Sequence, residues 1–209
     1  MCGRFHLETA DPKWEEALEE AQDRLRRLNR AEISLARNEV FPGQWVPVLA
    51  RGRADGQAFF PMLWGFSGPR LLINARSETA YRLPAYRDSW ARRRCLIPFS
   101  RYDEWARGLP GRPRFGIRPD TRERCYLAGL YRFEAGETFP RFTVLTREAS
   151  PDIRFIHPRM PVILPQASAP RWLSPAEDPS ALLEASPSGM LAVPYESAGT
   201  EEASSGPSY

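Results

Sequence analysis

Apolar positions along the chain change period early. From Asp11 and Pro12 to about Asn29, Trp14, Leu18, Ala21 and Leu25 recur every three or four residues with acids and bases between them. That spacing predicts a surface helix with one face packed on a sheet. Beyond a turn at Glu39-Val40-Phe41-Pro42-Gly43-Gln44 the runs shorten. Trp45 to Ala50 forms a strand with an edge-compatible Pro47, Arg51 to Gln57 a polar hairpin loop, and Ala58 to Trp64 the returning strand. Leu71 to Arg76 is a further apolar run ending in polar residues, followed by a helix to about Tyr86.

Arg92-Arg93-Arg94 leads into a strand through Pro98, and Tyr102 to Trp105 forms the next. Strands at Phe115–Ile117, Cys125–Tyr131 and Phe139–Thr146 continue at hairpin spacing. A short helix near Pro151-Asp152-Ile153 precedes an apolar run from Phe155 to Leu164. A helical segment from Trp172 to Leu183 and a strand near Met190–Val193 close the pattern. Strands dominate and helices are short, so the expected fold class is α+β, mainly β, in one domain over residues 2–195. Residues 196–209, rich in Ser, Gly and Glu, are expected to be disordered.

Charge and cysteine content narrow the function classes. Twenty-nine bases against 26 acids give a net charge of +3, and three of those acids (Glu196, Glu201, Glu202) fall in the last 24 residues. Lys13 is the only lysine, so the positive charge is nearly all guanidinium, the better bidentate phosphate ligand. A nucleic-acid partner is compatible with this bias, and so is high-GC codon usage. Cys2, Cys95 and Cys125 show no C-x-x-C spacing and the histidines are His6 and His157 alone, which argues against a disulfide framework, a zinc site or any metal or other cofactor. With no apolar run long enough to span a bilayer and no signal pattern, a soluble, intracellular protein is expected, and no interface argument raises it above a monomer.

Candidate chemistry begins at Met1-Cys2-Gly3-Arg4-Phe5-His6. A small second residue favours loss of Met1, which would leave an α-amine and a thiol two carbons apart. An α-amine with a pKa of about 7.7–8.0 is roughly one quarter free base near neutral pH, against about a thousandth for a lysine. Such a terminus forms a Schiff base with an aldehyde, and its thiol then closes a thiazolidine ring. The bland alternative keeps Met1 and makes Cys2 an ordinary buried thiol. Three further polar clusters interrupt apolar strands: Asn74-Ala75-Arg76-Ser77-Glu78, Glu104 before Trp105, and His157-Pro158-Arg159. Together with Cys2 they supply a nucleophile, a carboxyl, an imidazole, an amide and several arginines.

In these stretches the sequence resembles the SOS-response-associated peptidase family. The carrying residues are Met1 to Phe5, Met62 to Phe66, Ile73 to Thr79, Cys95 to Pro98, Glu104-Trp105, Ala128 to Tyr131, and His157 with Arg159 to Leu164. They are collinear and cover roughly residues 2–195. The resemblance implies a barrel-like antiparallel sheet core with short flanking helices and a groove for single-stranded DNA. It implies that abasic sites are sensed and shielded by a covalent cross-link through Cys2, with an abasic-site lyase side activity.

Carried over by position, Cys2, Asn74, Glu104 and His157 are the catalytic candidates. Arg4, Arg76, Ser77 and Arg159 are DNA-binding candidates, with Trp64 and Phe66 as wedges or stacking surfaces. The chain departs from the family pattern at Phe99, Arg101, Asp103 and Pro158. Strand alternation should point Asp103 away from Glu104. Two other readings stand beside this one: an N-terminal-nucleophile amidohydrolase or peptidase using Cys2, and a non-covalent single-stranded DNA binder.

Overall fold

The structure is a computed structural model and describes residues 2–8, 11–52, 56–183, 187 and 189–195. The segment expected to be disordered lies outside the described residues. In chain order the elements are β1 (Phe5–Leu7), α1 (Pro12–Arg27), β2 (Asn38–Val40), β3 (Trp45–Arg51), β4 (Gln57–Trp64), β5 (Asn74–Arg76), α2 (Ser77–Ala80) and α3 (Arg87–Arg92). There follow β6 (Arg94–Pro98), β7 (Arg101–Trp105), β8 (Arg114–Pro119), β9 (Cys125–Arg132), β10 (Arg141–Glu148), β11 (Arg159–Pro161), β12 (Ile163–Pro165), α4 (Ala169–Leu173), α5 (Ser180–Leu183) and β13 (Met190–Pro194).

The strands form two sheets. A five-stranded antiparallel sheet runs β13-β8-β7-β1-β2. The second runs β11-β10-β4-β3-β6-β9-β12, and β10 also pairs with β9, so β4, β3, β6, β9 and β10 close into a ring. The mainly-β expectation holds, with one difference. The ring is not wholly antiparallel, because β10 runs parallel to both β4 and β5.

Local chemistry explains where the elements stop. Asp11 caps α1 by accepting the Lys13 N–H at 3.0 Å, Pro12 occupies the first turn, and Arg24, Arg26 and Arg27 complement its C-terminal end. Its buried stripe of Trp14, Ala17, Leu18, Ala21 and Leu25 lies against the ring. Glu20 and Arg24 also bond the Phe59 amide and carbonyl of β4 at 3.2 and 2.8 Å. Three expected elements are shorter than their patterns. The helix after Arg76 ends at Ala80, ahead of Pro84, and α3 takes up the chain. The expected Trp172–Leu183 helix is split by Pro175 and Pro179. The Phe155–Leu164 run breaks at Val162, whose N–H bonds Leu145 while its carbonyl bonds Ala128, so the chain crosses from β10 to β9.

Three apolar clusters result among the described residues. One fills the space between the sheets with Cys2, Phe5, Trp64, Ile97, Tyr102 and Phe142, a second lies under the helices with Phe66, Trp90, Leu96 and Trp172, and a third joins Leu18 and Leu25 of α1 to Ile33, Leu35 and Phe139. Arg94, the last of three successive arginines, is 4% exposed and donates to the carbonyls of Trp90, Ala91, Trp172, Ser174 and Glu177, fastening α3 and α4 to β6. Gly129 permits the tightest approach on β9, since a Cβ there would meet Ile97 Cδ1 at 2.6 Å and the Thr143 carbonyl at 2.9 Å. Gly129→Ala is therefore expected to destabilise the fold by about 1–3 kcal/mol. Urea denaturation checks this, and an unchanged midpoint would show that the two strands have room to part.

Candidate active site

β1 places the candidate nucleophile. It lies inside the smaller sheet between β2 and β7, with Phe5 opposite Val40 and Tyr102, and the Phe5 ring packs 5.1 Å from Trp64. Cys2, just before this strand, is 1% exposed, and its Sγ donates to the Arg4 carbonyl at 3.8 Å. Asn74, the first residue of β5, donates from Nδ2 to the Cys2 carbonyl at 2.8 Å. Asn74 is itself positioned by its neighbours: Trp64 Nε1 bonds the Ile73 carbonyl at 3.0 Å, and β5 pairs with β10.

β7 presents opposite chemistry on its two faces. Tyr102 and Glu104 are buried on the side of the Cys2 core, at 0% and 6% exposure. Asp103 points the other way, as alternation predicts, and meets His6 Nε2 at 2.7 Å and Arg114 Nη2 at 2.5 Å. Burial, then the nearby Glu104 carboxylate, push the Cys2 thiol up to about 12. Burial also pushes the Tyr102 phenol well up, with smaller contributions from Cys2 and Glu104. Asn74 Oδ1 and Tyr102 Oη are buried without a hydrogen-bond partner among the described residues. An unmatched buried polar atom costs about 1–3 kcal/mol, so this cluster favours a polar partner.

The other candidates lie along β10. His157 precedes β11, which pairs with β10, and its Nδ1 is 3.0 Å from both the N–H and the carbonyl of Arg159. Arg159 forks onto Glu78 at 2.6 and 2.9 Å and also donates to the Thr146 carbonyl at 2.6 Å. The hydrogen bond from Arg159 holds the Glu78 carboxyl below its usual range. Arg76 is exposed.

Three of the expected DNA contacts are corrected by burial. Trp64 and Phe66 are 0% exposed, so neither offers a ring face to a base. Trp64 instead carries Ile73 and packs on Phe5 and Phe142, while Phe66 packs on Tyr86 under the Arg132 guanidinium. Ser77 is 5% exposed at the start of α2.

Sequence reasoning missed Tyr102 and the outer cluster of His6, Glu39, Asp103 and Arg114. Alternation along β7 was the available signal for Tyr102. The donor atoms of His6, Glu39 and Asp103 converge within 4.8 Å, but Arg114 Nη2 lies 2.5 Å from both carboxylates and Arg4 Nη1 3.0 Å from Glu39. Guanidinium groups take the cation's place, and the cluster is an ion-pair network.

Fold and site together define a mainly-β protein built around a buried cysteine next to the chain start. The chain belongs to the SOS response associated peptidase (SRAP) family, which it matches over residues 1–197. It is similar to Abasic site processing protein YoaM of Bacillus subtilis, 32% identical over 130 residues covering 60% of this chain and 55% of that protein. It is also similar to Abasic site processing protein YedK of Escherichia coli, 28% identical over 179 residues covering 83% of this chain and 79% of that protein. The chain spans about half the length of the first Bacillus relatives it matches. A Bordetella bronchiseptica crystal structure shares the fold at a TM-score of 0.70 and 22% identity, covering 93% of this chain and 100% of that one. A Bacteroides thetaiotaomicron structure does so at 0.70 and 18% identity, covering 92% and 91%.

The buried thiols predict an alkaline weakness. Cys2 is raised from 9.0 to about 12 and Cys125 from 9.0 to about 11, both mainly by burial. Below about pH 9 both states keep these protons, and above it the unfolded chain releases them while the folded protein holds them. Stability should therefore fall as pH rises from about 9 toward 12, and Cys2→Ser should flatten part of that fall. Urea titrations at a series of alkaline pH values test this, and identical slopes for both proteins would contradict the buried, protonated thiol.

Proposed function

We propose that this protein senses and shields abasic sites in single-stranded DNA by joining Cys2, freed of Met1, to the aldehyde of the opened deoxyribose. Family membership and the names of the relatives support the lesion as substrate. The observation that carries the chemistry is the side-chain cluster: Cys2 is held by Asn74 beside buried Glu104, with Asn74 Oδ1 and Tyr102 Oη unmatched among the described residues. The hydroxyl and ring oxygens of a sugar would match those atoms. Burial of the Cys2 side chain disfavours the thiolate-first attack of an amidohydrolase and leaves the first step to the α-amine.

In the proposed sequence Glu104 moves the proton that opens the hemiacetal, and His157 assists. The amine adds to the aldehyde carbon, and one water leaves as the imine forms. The S–H then adds across the C=N bond, sulfur to carbon and proton to nitrogen, closing the thiazolidine. If the ring does not close, the imine acidifies the neighbouring carbon and the 3′ phosphate is eliminated, which is the lyase side reaction. A non-covalent DNA binder, the second reading, would leave the buried thiol and carboxyl without a task.

Intact-mass spectrometry after incubation with an oligonucleotide carrying one abasic site should give protein without Met1 plus DNA minus one water, stable to heat and denaturant. Cys2→Ala should form only a reversible, reductively trappable imine, and a stable adduct in that variant would remove the ring from the mechanism. Glu104→Gln should slow adduct formation by about 10²–10⁴-fold. Unchanged kinetics there would take Glu104 out of the proton transfers.

A further inference from the structure

The outer face of the five-stranded sheet carries a row of guanidinium groups and aromatic rings that the cross-linking chemistry does not use. Arg4 lies over Trp105 at 5.2 Å, Arg114 over Trp105 at 5.5 Å and over Tyr195 at 4.3 Å, and Arg101 over Tyr195 at 5.7 Å. The row starts at the reactive residue, because the Arg4 carbonyl accepts both the Cys2 thiol and the Asp103 N–H. It ends at an open cavity of about 420 Å³ lined by Arg101, Arg118 and Tyr195, with Gly116 as floor. Arg101 is three residues from Glu104, roughly 10 Å at a strand's rise of about 3.3 Å per residue.

Charge separates the two ends of the row. Arg4 and Arg114 are neutralised by Glu39 and Asp103. Arg101 and Arg118 are exposed, and neither has a carboxylate within ion-pair distance among the described residues. Arg101 Nε donates to Tyr195 Oη at 3.0 Å and its Nη2 lies 3.4 Å from His6 Nδ1, which fixes the phenol and leaves Nη1 facing the cavity. Arg118 has one long contact, 3.5 Å, to the Pro119 carbonyl. Glu8 also lines the cavity, so the site is not uniformly positive.

Rings and cations alternating in a line match a polymer whose bases and phosphates alternate. Single-strand binders combine such stacking surfaces with cations that follow the backbone. We infer that this row takes the nucleotides flanking the lesion, with a backbone phosphate held between Arg101 and Arg118 a few nucleotides from Cys2. The inference rests on the proposed function for its polymer. It assigns to that strand a path over the outer sheet face, where Trp105 and Tyr195 replace the buried Trp64 and Phe66 as stacking surfaces.

The test is fluorescence anisotropy of an intact single-stranded oligonucleotide across a salt series, comparing the protein with an Arg101→Ala/Arg118→Ala variant. Removing the two guanidinium groups that hold this one phosphate should weaken binding about 10-fold and lower the salt slope by about 0.7, the value for one neutralised phosphate on a single strand. The concentration of abasic oligonucleotide giving half-maximal adduct should rise by a similar factor. Arg101→Lys/Arg118→Lys should restore the slope. Unchanged affinity and slope in the alanine variant would overturn the subsite. Because intact DNA needs no Cys2 chemistry, the two proposals fail separately. A wild-type protein that binds with the full slope but never forms an adduct sinks the cross-linking reading alone.

Discussion

The hydrogen bond from Asn74 to the Cys2 carbonyl is the constraint on which the site depends. It joins the start of β1 in one sheet to the start of β5, which belongs to the other. Chain starts usually fray because little ties them down. Here the first strand is an interior strand, its Phe5 fully buried, and Cys2, three residues before Phe5, is anchored by an amide. Cys2 is therefore ordered by folding, and its conformational freedom is already spent before any partner reaches it.

β7 then decides what surrounds that nucleophile. Its inner face gives Tyr102 and Glu104 to the core, and its outer face gives Asp103 to an ion-pair network with His6 and Arg114. A slip of one residue would exchange the two carboxylates between faces. The register is held by pairing Phe5 with Tyr102 on one side and Tyr102 with Ile117 on the other. The outer network supports it, since Asp103 cannot leave its guanidinium and imidazole partners without stranding a fully buried charge.

Much of this was legible in the sequence. The alternation of Tyr102, Asp103 and Glu104, the amphipathic stripe of α1, and the clusters at Asn74 and His157 all follow from local spacing. What failed depends on tertiary packing. Trp64 and Phe66 looked available for stacking because an aromatic either side of Gly65 has no periodic sign of burial, and only the meeting of β4, β5 and β10 encloses them. Nothing local shows that five carbonyls from α3, α4 and their loops converge on Arg94, the last of three successive arginines. The parallel pairing of β10 escaped for the same reason: strand direction within a ring is set by connections, not by composition.

The contact made by His157 has a consequence for proton movement. Its Nδ1 faces both the N–H and the carbonyl of Arg159, at 3.0 Å each. A bare nitrogen accepts from the first and a protonated one donates to the second, so the ring is satisfied in either state without turning. The backbone of one residue thus works as a two-way latch: the imidazole can exchange tautomers while its other edge keeps its aim.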